Sequence, residues 1–215
     1  MTGKTLVIFG ARSGAGFELA ATVRRSGIAV VAPIRPGADG SALRNLGCQV
    51  LEADATSPAS VAAVFRGAPA DAWVASTLGG RGGAALVDEV GNATVIDAAA
   101  AHGAARMLLI SSLGAGDSRR YASERLLAVI GSVLLAKTRA EDHLRASGLA
   151  HVIIRPGGLV DGSATGTGEL TEAMDVHGSI SRGELAALAL DCLIRVGRLG
   201  RTFAAVDSQH IPPPH

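Results

Sequence analysis

Hydrophobic and polar positions along this chain follow two different periods. Short, almost wholly apolar runs recur at Thr5–Phe9, Ile28–Ile34, Cys48–Glu52, Ala72–Ala75, Met107–Ser111, His151–Arg155 and Thr202–Val206. Between them lie longer Ala- and Leu-rich stretches with helical spacing, near Gly14–Ser26, Ala38–Leu46, Ser57–Arg66, Ala84–His102, Arg119–Ser147 and Ser181–Val196. A strand without a polar face is buried on both sides, so such strands alternating with helices predict a parallel sheet between two helical layers. Right-handed crossovers then give a doubly wound α/β sheet of the Rossmann type, in a single domain over residues 1–210. Ser57-Pro58 opens a helix, and Gly27, Gly47, Gly67, Gly103 and Gly148 stand just past helical stretches. The Gly- and Thr-rich stretch from Asp161 to Ile180 is longer than an ordinary connection. It is either a loop over a substrate, with Asp175 and His177 in its wall, or a small excursion of the sheet. Residues 211–215, with three consecutive prolines, read as a loose tail.

Composition narrows the function classes. The 215 residues are 48% hydrophobic with a formal net charge of +1, which gives no pull toward nucleic acid or an anionic membrane. Aromatic residues at 3% provide no stacking platform for single-stranded nucleic acid. The apolar stretch Leu126–Ala136 falls short of the roughly 20 residues that span a bilayer. The run Leu6–Phe9 is too short for a secretion signal, so a cytoplasmic location is expected. Cys48 and Cys192 form no CxxC pair and read as buried thiols in a reducing compartment. The six histidines show no paired metal spacing, no GxSxG elbow is present, and Lys4-Thr5 lacks the glycine loop of a P-loop.

One turn carries a specific chemistry. After the first strand comes Gly10-Ala11-Arg12-Ser13-Gly14-Ala15-Gly16-Phe17, a GxxxGxG spacing in a strand–turn–helix setting. The first glycine permits a tight turn, the second lets backbone N–H groups approach a pyrophosphate, and the third lets the helix pack close to the sheet. The helix start then faces the anion with unsatisfied donors. At the end of the second strand, where NAD enzymes carry an acid for the ribose, stands Arg35, and Arg12 lies within the turn itself. Guanidinium groups match a 2′-phosphate, so NADP(H) is favoured, although Asp39 is near enough to serve a ribose. Asp54 and Ala55 follow the third strand, where Asp54 can accept from the adenine amine or cap the helix near Ser57. Ser76, Thr77, Leu78 and Gly79 follow the fourth and would lie against a ribose.

Matching segments run through nearly the whole chain: Val7–Gly16, Arg35–Gly37, Ser76–Gly80, Gly91–Ala100, Leu109–Asp117, Ala136–Glu141, Ser147–Leu149, Ile154–Leu159 and Ile180–Arg182. In these the chain resembles the atypical short-chain dehydrogenase/reductases, single-domain NAD(P)H-binding proteins that include flavin/biliverdin reductase and NmrA-like regulators. The resemblance implies the fold, the dinucleotide site and a substrate cleft over the nicotinamide, but not one reaction. It implies that Ser111 or Ser112 ends the fifth strand beside the nicotinamide and that Lys137 contacts the nicotinamide ribose. It further implies that Pro156, Gly157, Gly158 and Leu159 line the nicotinamide pocket. From the residues alone, a serine at a strand's carboxyl end can polarise a carbonyl or simply begin a turn.

The pattern departs from the better-known branch at one point. Carbonyl reduction there uses Tyr-xxx-Lys, two residues sharing a helix face. Here Val133 stands four before Lys137, and the sole tyrosine, Tyr121, would lie about 24 Å away along an unbroken helix. Lys137 is still conspicuous, because Lys4 is the only other lysine in the chain. The expected function is NADPH-dependent hydride transfer to a small conjugated substrate (a flavin, quinone, enone or carbonyl). A non-catalytic NADP(H) sensor and a non-redox isomerase are the alternatives. The helical stretches Ala84–His102 and Arg119–Ser147 are candidates for a homodimer face.

Overall fold

A computed structural model of the chain describes residues 3–79 and 86–207. Gly80, the first residues of the expected fourth helix and the expected tail lie outside them. Eight strands form the main sheet, in the order β3 (Gln49–Glu52), β2 (Ala29–Ile34), β1 (Thr5–Phe9), β4 (Trp73–Ser76), β5 (Arg106–Ile110), β6 (His151–Pro156), β10 (Arg201–Asp207) and β8 (Gly168–Thr171). All neighbours pair in parallel except β10 and β8, which are antiparallel. The doubly wound sheet expected from the alternation is therefore present, with one antiparallel edge added.

The two faces of β1 show why the strands lack a polar side. Leu6 and Ile8 pack with Leu19 and Val23 of α1 (Gly14–Arg25), Leu43 of α2 (Ser41–Asn45) and Leu185 and Ala189 of α6 (Arg182–Ile194). Val7 and Phe9 pack with Val61 and Phe65 of α3 (Pro58–Phe65), Val95 and Ile96 of α4 (Asn92–His102) and Ala140 and Leu144 of α5 (Glu124–Ala146). Full burial of a Leu, Ile or Phe side chain stabilises by about 1.5–3 kcal/mol, so both layers are held firmly against the sheet. Ser57 caps α3 with its side chain on the Ser60 N–H, and Gly103 in the left-handed region (φ +78) closes α4.

One expectation needs correction, and one open alternative is decided. The stretch 119–147 is not one straight helix. Residues Gly116–Tyr121 form a 3-10 turn, Ala122 is extended, and α5 starts afresh behind the Ser123 cap. α5 then kinks at Ile130 (φ −130, ψ 16), beside Gly131, whose carbonyl accepts from the Arg119 guanidinium. A glycine and a side chain competing for the ladder are sufficient cause. The stretch 161–180 is an excursion of the sheet, containing β8 and β9 (Ser179–Ser181), with β9 pairing in parallel with β7 (Gly158–Val160). Its irregular composition hid both strands because each is only three or four residues long. No helix among the described residues is long and apolar enough to cross a membrane.

Candidate functional site

The sheet order reverses between β1 and β4, and in open α/β sheets the ligand crevice forms at the carboxyl ends of the strands flanking such a reversal. The Gly10–Gly16 turn leaves β1 there, and Thr77 leaves β4 directly beside it. Thr77 donates its N–H and its hydroxyl to the Phe9 carbonyl, at 2.9 and 3.1 Å. This brings the two turns into contact so close that a Cβ on Gly10 (φ +86) would lie 2.5 Å from Thr77 Oγ1. A Cβ on Gly16 would overlap both the Gly10 carbonyl and that same hydroxyl. Gly14 (φ +59), by contrast, is exposed, so the backbone of the turn lies open to a ligand where α1 begins. The cradle fits a dinucleotide pyrophosphate, since only glycine allows the helix start to sit this close to the strand end.

The flanking residues sort by what their side chains already bond. Arg12 and Arg35 are exposed, and among the described residues neither guanidinium has a hydrogen-bond or ion-pair partner. Asp39 accepts from the Ser41 N–H (2.8 Å) and hydroxyl (2.9 Å), and these bonds, together with nearby Arg44 and Arg12, hold its pKa below the ordinary 3.8. Both its oxygens are thus engaged at the start of α2. Asp54 forms a turn with Thr56, whose N–H and hydroxyl both reach Oδ1 and lower its pKa, while Ser57 performs the capping. Asp54 is exposed. Ala11 is buried, Ala15, Phe17 and Ala55 are half-buried, and Ser13 is exposed at the cap of α1. Ser76 is fully buried between β1 and β5 and donates its hydroxyl to Asn92 at 2.5 Å, so its side chain is already committed.

Lys137 projects from α5 to the turn after β4. Its ammonium lies 2.9 Å from Asp88 and 3.4 Å from the Leu78 carbonyl. Asp88 belongs to a π-helical turn, Val87–Gly91, and is fully buried; a Cβ on Gly79 (φ +106) would collide with its carboxylate. Among the described residues Lys137 is the group that compensates this charge. Such a pair is costly to break, because removing one member strands the other.

At the end of β5, Ser111 is buried and donates its hydroxyl to Glu141 Oε1 at 2.5 Å. Glu141, fully buried on α5, also accepts from Arg155 Nε (2.9 Å), Arg155 Nη2 (2.6 Å) and Arg145 Nη2 (3.0 Å). Arg155 reaches on to Asp117 in the 3-10 turn. Burial opposes the charge on Arg155, but its bonds to Glu141 and Asp117 outweigh that and raise its pKa, while Arg155 lowers that of Asp117. Ser112 is half-buried, with its hydroxyl on the Leu113 carbonyl (2.9 Å). The Leu113 N–H bonds the Pro156 carbonyl (3.0 Å), joining this turn to Pro156–Gly157. Gly158 and Leu159 continue as β7, and Leu159 faces Ile180 in the small sheet.

The expected residues therefore gather along one edge of the sheet. The sequence had assigned no role to Asp88, Glu141, Arg155 or Arg182, and only the spacing of Glu141, four past Lys137 on the same helix, hinted at one. Asp175 and His177 are exposed in the turn before β9. Among the described residues no cluster of His, Cys, Asp and Glu could hold a metal ion. Cys48 and Cys192 are buried free thiols, and burial pushes Cys192 up to about 11.

A glycine cradle at the reversal of a doubly wound sheet defines a dinucleotide-binding Rossmann protein. A family model described as NAD(P)H-binding matches residues 10–195, and the chain belongs to that family. The anaerobillin reductase ChuY from Escherichia coli O157:H7 is 34% identical, with a TM-score of 0.89 over 97% of this chain and 100% of ChuY. YhfK from Bacillus subtilis (strain 168), described as an uncharacterized sugar epimerase, is 34% identical over 150 residues, 68% of this chain and 67% of YhfK. Sanguinarine reductase from Eschscholzia californica is 33% identical over 113 residues, 50% of this chain but only 40% of the reductase.

Proposed function

We propose that the protein is an NADPH-dependent reductase of a small conjugated substrate. The observation that carries this reading is the glycine cradle flanked by the exposed Arg12 and Arg35, neither with a hydrogen-bond or ion-pair partner among the described residues, with the nearby acids Asp39 and Glu52 engaged by Ser41 and by the Gly37 N–H. Two exposed guanidinium groups suit a 2′-phosphate, and Asp39 has already used one acceptor site on each oxygen that a ribose hydroxyl would need. The likeness to ChuY over both full lengths, and to part of sanguinarine reductase, supports a reductase and makes a linear tetrapyrrole the first substrate to try.

Bound NADPH supplies the hydride. The chain contributes binding and orientation. Lys137, paired with Asp88, would donate to the nicotinamide ribose. Ser111 commits its only proton to Glu141, so toward a substrate it can act as an acceptor alone. Ser112 is the serine whose hydroxyl can turn outward to donate. With Val133 four before Lys137, no tyrosine stands where the better-known branch keeps its proton donor. A conjugated acceptor whose proton comes from water has no need of one. An open hollow along the 3-10 turn, lined by Gly116, Asp117, Arg119, Arg120, Ala122 and Leu127, would offer such a substrate a partly apolar surface with charges of both signs.

NADPH oxidation should be followed with a linear tetrapyrrole, flavins, quinones and simple carbonyls. Turnover of at least one conjugated acceptor, with Lys137→Ala weakening NADPH binding about tenfold, is expected. Tight NADPH binding with no oxidation throughout the panel would instead identify a sensor. Epimerisation of a sugar substrate without net NADPH loss would identify an isomerase, the activity that the description of YhfK suggests.

A further inference from the structure

We infer that Arg182 is a ligand of the dinucleotide's pyrophosphate, and that it gives up Asp161 to become one. The inference rests on the dinucleotide site proposed above and adds a residue outside the glycine turn. α1 leaves β1, and α6 leads into β10, which runs parallel to β1 across the sheet. Both helices therefore start at the same edge, and they pack side by side in one layer. Arg182 is the first residue of α6, and its Nε lies 3.6 Å from where a Cβ on Gly14 would stand. The guanidinium thus borders the exposed glycine at which the phosphates are expected to sit.

The first amides of α6 are not free to share this task. The Gly183 N–H bonds the Gly162 carbonyl (3.0 Å), and the Glu184 N–H bonds the Ser181 hydroxyl (3.0 Å). What α6 offers to an anion is the Arg182 side chain. That side chain now pairs with Asp161 at 2.5 Å, and Asp161 is 98% exposed. An ion pair so open to water is weak, and a pyrophosphate carries more charge and accepts a guanidinium on two oxygens. Exchange of partner is therefore favourable.

The exchange has a consequence for the substrate side. Asp161 begins the segment that Glu184 ties down at the Thr165, Gly166 and Gly168 N–H groups, at 2.8, 2.7 and 3.1 Å. At the start of that segment the Asp161 side chain is held by Arg182, while the Gly162 and Ser163 carbonyls are held by the Gly183 N–H and the Ser181 hydroxyl. Dinucleotide binding would release the Asp161 side chain and leave the backbone after it clamped to α6, so occupancy at Gly14 changes the charge presented where the substrate segment starts.

Calorimetric titrations of wild type, Arg182→Gln, Arg182→Ala and Asp161→Ala with NADPH and with NADH test the idea. Both nucleotides carry the pyrophosphate, so both Arg182 variants should lose about tenfold or more in affinity for each, by similar factors. Asp161→Ala should bind both as tightly as wild type or up to about fivefold tighter, because a competitor is gone. Thermal melting checks the fold, and Gln keeps much of the arginine stem should Ala disturb it. Unchanged affinity in the Arg182 variants would overturn the inference. So would a loss confined to NADPH, which would make Arg182 a reader of the 2′-phosphate. So would a loss in Asp161→Ala equal to that in the Arg182 variants, which would make the pair a fixed strut. None of these readouts involves turnover, so the reductase proposal stands or falls separately.

Discussion

Glu141→Gln is the most informative single change for the buried network. The carboxylate is fully buried and accepts four hydrogen bonds, two on each oxygen. A glutamine of the same shape keeps one accepting oxygen and presents an NH₂ where the other stood. In either orientation that NH₂ faces N–H donors of Arg155. The Arg155 guanidinium, 1% exposed, is then left with Asp117, whose side chain is 68% exposed and shared with water. Removing one partner of a buried ion pair costs about 3–5 kcal/mol. At about 2–4 °C per kcal/mol for a chain of this size, the melting temperature should fall by roughly 6–20 °C. Replacing both members by apolar residues, Glu141→Leu with Arg155→Met, should recover most of this loss, because no charge is then stranded. Thermal melts followed by circular dichroism at neutral pH would read both effects. A Glu141→Gln protein melting within about 2 °C of wild type would refute the argument, as would a double variant worse than the single.

Two further expectations concern the glycine cradle and acid. Gly16→Ala would place a Cβ 2.8 Å from the Gly10 carbonyl carbon, so α1 must withdraw from the turn. A stability loss of about 1–3 kcal/mol, with a marked loss of NADPH affinity by fluorescence titration, is expected, and unchanged affinity would contradict a close-packed pyrophosphate site. For pH, the pKa of Asp117 is lowered from 3.8, first by its bond from Arg155. A carboxylate depressed by folding contributes stability above its unfolded pKa and loses it as pH falls through the folded one. Chemical denaturation should therefore show this contribution intact above about pH 5 and declining below about pH 4, with Asp117→Asn flattening the decline.

Much of this architecture was legible from one dimension. The seven apolar runs each became a strand, and for all but the edge strand β3 the reason is that a buried parallel strand is apolar on both faces, a demand local enough to survive in sequence. The GxxxGxG turn was equally readable, since its glycines answer steric limits set by their immediate neighbours, and Arg35 could be placed by counting from it. The short strands β7, β8 and β9 were not readable, since a three-residue strand is defined by its pairing partner and not by its own pattern.

The charged groups around the site show the same division. Sequence alone could single out Lys137 by its rarity and Ser111 by its place at a strand end. It could not tell that Lys137 would meet Asp88 across 49 residues, or that the Ser111 hydroxyl would donate its hydrogen bond to Glu141. Nor could it bring Arg182 to Gly14 from the far end of the chain. Backbone demands repeat with a local period and so leave a trace in composition. The partner of a buried charge is chosen by packing between distant segments, and only the folded chain decides which carboxylate meets which cation.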